Sequence, residues 1–278
     1  MKAYERFLEY VAVWTTSDEN SDTVPSAARE LDLAKKLVEE MKGLGIEDAR
    51  VDDKGYVYGS VPATPGCEDK AALGLIAHMD TAMDASGKDI KPQLIKNYDG
   101  GDVVLGTSGN VLSAAEFPHL AGLKGRTLIT TDGTTLLGAD DKAGIAEILT
   151  AVDEIIKEGL PHGKICIGFT PDEEIGRGSD HFDVEGFGAD YAYTLDGDAE
   201  GEIQYENFNA STGFVTCHGV SVHTGSAKDI MVNSQTIATE FHQMLPADER
   251  PETTEGYEGF YHLNAMSGNV TTTNMKYL

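Results

Sequence analysis

Cationic side chains are scarce in this 278-residue chain: Lys and Arg number 21 against 47 Asp and Glu, a formal charge of −26. A surface of that sign repels nucleic-acid phosphates and anionic membrane faces, so no nucleic acid and no membrane is expected as a partner. The same excess suits divalent cations and cationic ligands, although solubility alone would account for it. Cysteine is also scarce. Cys67, Cys166 and Cys217 lie far apart and form no C-x-x-C pair, which excludes a disulfide framework and fits a reducing, cytoplasmic setting. Residues 1–16 interrupt their apolar positions with Lys2, Glu5, Arg6 and Glu9, so they form neither a signal-peptide core nor a membrane span. No G-x-S-x-G, Walker or G-x-G-x-x-G element is present to support a serine hydrolase or a nucleotide enzyme.

What the chain has is clear periodicity. Tyr4, Phe7, Leu8 and Val11 recur at helical spacing, as do Leu31, Ala34, Leu37, Val38 and Met41 within 28–41. Gly43-Leu44-Gly45 stops the second helix, and 49–61 reads as a hairpin about Lys54-Gly55. A buried strand is expected over 71–77, then loops and edge strands over 84–126, where Gly, Asp and Lys dominate. Ile145, Ile148, Leu149, Val152, Ile155 and Ile156 mark a helix over 142–158 closed by Gly159. Strands at 164–169 and 191–195 complete an alternating α/β pattern. Beyond Asn207 the style changes to a strand over 208–222, a helix over 231–245 and two strands over 257–278. The expected fold class is therefore α/β: a mixed-sheet domain with helices on both faces over 1–206, and a smaller α+β domain over 207–278.

Four chemically loaded segments each follow an apolar run that reads as a strand. They are Ala77-His78-Met79-Asp80-Thr81, Gly138-Ala139-Asp140-Asp141-Lys142, Asp172-Glu173-Glu174 and Leu195-Asp196-Gly197-Asp198. In open α/β sheets the ligand crevice lies beyond the carboxyl ends of the strands, so these segments can converge into a zinc hydrolase centre. His78 and Asp80 share one face of a strand end, where one can bind metal while the other orients it. Alone, H-x-D describes a hydrogen-bonded structural histidine equally well. Asp140 and Asp141 precede the 142–158 helix, so simple N-capping competes with metal bridging by Asp140. Glu173 and Glu174 are adjacent and must point differently, one as ligand and its neighbour as proton acceptor, with an exposed acidic turn as the plain alternative. The stretch from Asp196 to Ile203 has a passing likeness to a calcium loop, but its twelfth position is Asn207 and a strand precedes it, which favours Asp196 as a strand-end metal ligand. His223, in Gly219-Val220-Ser221-Val222-His223-Thr224-Gly225 at an expected strand end, can donate to a developing oxyanion.

Together, His78-Met79-Asp80-Thr81, Gly138 to Gly144, Thr170-Pro171-Asp172-Glu173-Glu174-Ile175-Gly176, Leu195-Asp196-Gly197 and the segment Glu255 to Leu263 resemble the peptidase T family, tripeptide aminopeptidases among the dinuclear zinc exopeptidases. The resemblance implies two Zn2+ ions, with His78 and Asp196 on one, Glu174 on the other and Asp140 bridging. It makes Glu173 the general base acting on a zinc-activated water, Asp80 the partner that orients His78, and the Asp140–Asp141 peptide cis. It places His223 in a lid that approaches the substrate carbonyl, supplied by the partner subunit in related homodimers. Relatives often have proline where Thr224 stands here. In the family the catalytic domain resumes after the lid and supplies a further histidine to the second zinc site. The resemblance therefore implies that Leu278 ends the chain within the lid and leaves that site incomplete. An amidohydrolase or deacylase acting on another small amide, and an inactive zinc-binding fragment, are the rival readings.

Overall fold

The computed structural model describes residues 1–197 and 200–278, so the Asp198 and Ala199 of the calcium-loop likeness lie outside the described residues. Two units divide the chain, Met1–Glu202 and Ile203–Leu278.

In the first unit, α1 (Ala3–Val11) and α2 (Glu30–Gly43) precede β1 (Arg50–Val51), β2 (Val57–Val61) and β3 (Leu73–His78). Then come β4 (Gln93–Ile95), β5 (Val103–Val104), β6 (Val111–Leu112) and β7 (Leu128–Thr130), followed by α3 (Ala139–Glu158), β8 (Ile165–Thr170), α4 (Val184–Phe187) and β9 (Tyr191–Thr194). The main sheet has the order β1-β2-β8-β3-β9 and is mixed: β3 runs parallel to β8 and β9, while β2 is antiparallel to β8. Parallel neighbours need long crossovers, and α3 lies within the one between β3 and β8.

Alternation along β8 sorts its side chains. Ile165, Ile167 and Phe169 join the main core with Leu33, Leu37 and Met41 of α2 and Ile145, Ile148, Leu149 and Val152 of α3. Cys166 faces the other way, among Tyr56, Tyr58 and Phe187. Helices thus occupy both faces unequally: α1, α2 and α3 cover one, and only the single turn of α4 the other. On that thinner side Gly74 admits the Phe187 ring, because a Cβ there would stand 2.6 Å from its Cε1 atom. The α1 inward face consists of Phe7, Tyr10 and Val11, whereas Tyr4 is exposed. Tyr10 turns inward because its hydroxyl donates to Glu40 Oε2 at 2.7 Å. Residues 84–126 form the expected short pieces: β5–β6, β4 paired with β7, and a small cluster of Tyr98, Val103 and Leu120.

The second unit comprises β10 (Gly213–His218), α5 (Ser234–Met244), β11 (Leu263–Gly268) and β12 (Thr272–Tyr277), in the antiparallel order β10-β12-β11. Ala238 of α5 packs on Cys217, Met275 and Tyr277. The β10–β12 register ends at His218 opposite Thr272, and at Gly219 the chain runs so close to its neighbours that a Cβ would meet Val270 O at 2.2 Å. His223 therefore stands in a loop after a short bridge, not at a strand end: it caps the turn Thr224–Ser226. Among the described residues, no helix is long and apolar enough to cross a membrane.

Candidate metal centre

The parallel register sets His78 opposite Thr170 and Ile76 opposite Thr194, so the residues following β3, β8 and β9 emerge at the same edge of the sheet. At that edge His78, Glu173 and Asp196 present ligand atoms that all lie within 4.8 Å of one another, and so do His78, Asp140 and Glu174. His78 belongs to both sets. Its Nε2 lies 2.8 Å from Asp140 Oδ1 and 3.8 Å from both Glu173 Oε2 and Asp196 Oδ2. The imidazole itself is buried, whereas the Asp140 and Glu173 side chains are 71% and 51% exposed and open the centre to solvent.

Behind this front row stand residues that belong to neither donor set but hold its members in place. Asp80 is fully buried, and its Oδ1 and Oδ2 accept the backbone amides of Glu173 and Glu174 at 3.0 and 3.1 Å. His78 Nδ1 is 3.1 Å from the Asp80 carbonyl oxygen and 3.3 Å from Asp80 Oδ1. Asp141 accepts from His78 N at 3.1 Å and from Gly144 N at 3.2 Å, so it caps α3 and fastens the end of β3 to it. Capping thus describes Asp141, while Asp140 faces the centre. The peptide between them is cis, as the resemblance implies, and both residues depart from helical geometry. Next along, Lys142 is buried and donates from Nζ to Val13 O at 2.8 Å. Among the residues put forward from the sequence, His78, Asp80, Asp140, Glu173, Glu174 and Asp196 assemble here, and His223 belongs to the second unit. The sequence reading overlooked Asp141 as a clamp on His78, Lys142 as a buried cation, and Glu30, which accepts the Asp172 amide. Only Asp141 carried a signal, its place before an apolar helix.

Burial first, and crowding of like charge after it, govern the titration. Burial and the Asp196 charge push Asp141 up to about 8. Burial and the Asp140 charge raise Glu174 to about 7 and Asp196 to about 6. For His78 burial acts downward, but hydrogen bonds to Asp140 and Asp80 outweigh it and carry the imidazole up to about 11. Asp140 is held below the usual carboxylate range, chiefly by His78. One imidazolium thus faces several carboxylates, and a nitrogen donor among such oxygens fits a divalent cation, which would favour every charged carboxylate.

A pH dependence follows. Asp141, Glu174 and Asp196 keep protons in the folded protein that the unfolded chain has already lost, so rising pH favours unfolding between the ordinary carboxylate range near 4 and the folded values of about 6 to 8. The His78 contribution, full below its ordinary 6.5 and lost through about 11, has the same sign. In chelator, the thermal midpoint is expected to fall from about pH 5 to about pH 8, with excess divalent metal flattening the decline. A midpoint that rises over this interval would contradict the crowding.

The family model described as "Peptidase dimerisation domain" matches residues 205–276. Curated relatives named peptidase T from Clostridium acetobutylicum and Aliivibrio fischeri are 56% and 55% identical over 276 residues, covering 99% of this chain and 67% of theirs. Among solved structures, the aminopeptidase PepT of Bacillus cereus aligns with TM-score 0.63 at 24% identity, covering 99% of this chain and 65% of that one, and so shares the fold. A tripeptidase from Staphylococcus aureus aligns with the same TM-score at 21% identity, over 99% of this chain and 65% of its own. The sequence relatives and the dimerisation-domain match set the chain beside enzymes of the aminopeptidase class. Within that class the chain belongs to the peptidase T family. It spans about two thirds of the length of the relatives it matches.

Proposed function

We propose that this protein releases the N-terminal residue of tripeptides at a centre of two zinc ions. The observation that carries the reading is the convergence of His78, Asp140, Glu173, Glu174 and Asp196 in two overlapping groups of donor atoms. His78 and Asp196 would hold one ion, Glu174 the other, and Asp140 would bridge them. When bound, the ions would lower the pKa of water and polarise the scissile carbonyl.

The remaining work falls to the side chains. Glu173, half-exposed beside the centre, would accept the proton of the attacking water and pass it to the departing amine. Asp80 would keep the His78 ring in place through its contacts at Nδ1. His223 accepts the Gly225 N–H at Nδ1, 3.1 Å away, so its neutral ring carries the proton on Nε2 and has a donor for the developing oxyanion. Homodimerisation through residues 207–278 is supported by the dimerisation-domain match. Free cysteines throughout accord with a cytoplasmic enzyme.

The test compares free tripeptides with their N-acetylated forms, using zinc-loaded protein. Hydrolysis of the free peptides alone, with the first residue released, is the expected result, since an aminopeptidase requires the free amine. Preferential cleavage of the acylated forms would replace this reading by a deacylase.

A further inference from the structure

The turn that carries Glu173 and Glu174 is gripped by buried carboxylates at three consecutive amides. Asp172 N donates to Glu30 Oε2 at 3.2 Å, and Glu173 N and Glu174 N donate to the two oxygens of Asp80. Asp172 adopts φ 58°, a left-handed conformation that is costly for a residue with a Cβ and persists only where surroundings hold it. Its own carboxylate accepts Ser26 N at 2.9 Å through both oxygens. Glu30 closes the ring, accepting Ala27 N at 3.1 Å and the Ser26 hydroxyl at 3.4 Å.

Glu30 and Asp172 are 1% and 0% exposed. Burial beside the Asp172 and Asp80 charges pushes Glu30 up to about 9. Replacing buried ionisable groups with well-packed apolar ones is often neutral or stabilising, so fold stability is a weak reason for a carboxyl group at the first residue of α2. Its placement has a more local explanation. Because adjacent side chains diverge, the aim of Glu173 towards one donor set and of Glu174 towards the other depends on the backbone of this turn.

We propose that Glu30 is a positioning residue: by anchoring the Asp172 amide to the 26–27 loop, it fixes the turn that aims Glu173 and Glu174 at the centre. The inference rests on the metal-centre reading for one of its two readouts only. Amide hydrogen exchange in the metal-free chain is compared for the wild type, Glu30→Gln, Glu30→Ala and, as a structural control, Leu33→Ala in the same helix. The glutamine variant keeps the volume and one carbonyl acceptor, so it guards against misfolding of the alanine variant. Exchange at 172–174 is expected to accelerate at least about tenfold in both Glu30 variants, more in Ala than in Gln, with β8 amides unchanged. Zinc affinity, by chelator competition, should fall about 10–100-fold. Leu33→Ala should show no selective change at 172–174. Unaltered exchange at 172–174, or equal acceleration across β8, would overturn the role. If the wild type takes up no zinc, the metal reading fails, while the exchange comparison still decides the role of Glu30.

Discussion

Glu173→Gln is expected to slow tripeptide hydrolysis by about 10²–10⁴-fold, the range in which a positioned general base contributes, while zinc stoichiometry stays unchanged. The isosteric amide cannot take up a proton at neutral pH, yet it fills the same space at the open side of the centre, where the native side chain is 51% exposed. Two measurements on one preparation decide the matter: kcat for a free tripeptide, and metal content after removal of loosely held ions. The second is needed because Glu173 Oε2 lies within ligand distance of His78 and Asp196. Loss of zinc alongside loss of rate would make Glu173 a ligand, and the proton acceptor would have to be sought elsewhere. Retained rate would remove it from the chemistry altogether.

Asp140→Ala should have the largest effect on metal binding. Asp140 is the donor proposed to serve both ions, whereas His78 and Asp196 serve one and Glu174 the other. Both ions should lose affinity, each by more than the roughly 10–100-fold that changes behind the ligand row cost. His78→Ala and Glu174→Ala should each weaken one ion chiefly. Without metal, His78→Ala also removes the imidazolium facing Asp80 and Asp140, so the thermal midpoint in chelator should fall as well. Competition titrations with a chromophoric chelator, run on the three variants side by side, distinguish this pattern from a centre built on some other residue. Equal, single-ion losses in all three would contradict the bridging role of Asp140.

The elements whose periodicity is strongest were legible from residue order alone. Ile145 to Ile156 announce α3 because one face must be apolar to cover the sheet, and the strand β8 shows as a run too apolar to be anything but interior. Convergence of His78, Glu173, Glu174 and Asp196 was legible too, since residues just past parallel strands emerge at one edge, whereas Asp140 joins them from the start of α3 and not from a strand end. Two kinds of feature were not. A face decided by a distant partner escapes periodicity: Tyr10 turns inward because Glu40 waits for its hydroxyl, thirty residues away in sequence. A carboxylate at the first turn of a helix, such as Glu30, ordinarily signals favourable dipole contact in solvent, and nothing nearby in sequence shows that Asp172 will meet it. The loop position of His223 escapes local pattern for a related reason: the bridge of Val220 to Val232 and the turn that His223 caps are set by segments that residue order alone does not pair.

The strand order adds a last point about the ligands. His78 continues from β3, flanked on both sides by hydrogen-bonded neighbours, and Glu173 and Glu174 follow β8, which is likewise enclosed. Among the described residues, Asp196 alone hangs from β9, which pairs along one side only, with β3, and whose Tyr191 and Tyr193 are 51% and 53% exposed. The centre is therefore mechanically lopsided, with one donor on a strand held from a single side. Loading an ion would act as a clasp on that margin, transferring to β9 some of the rigidity that β3 and β8 already possess.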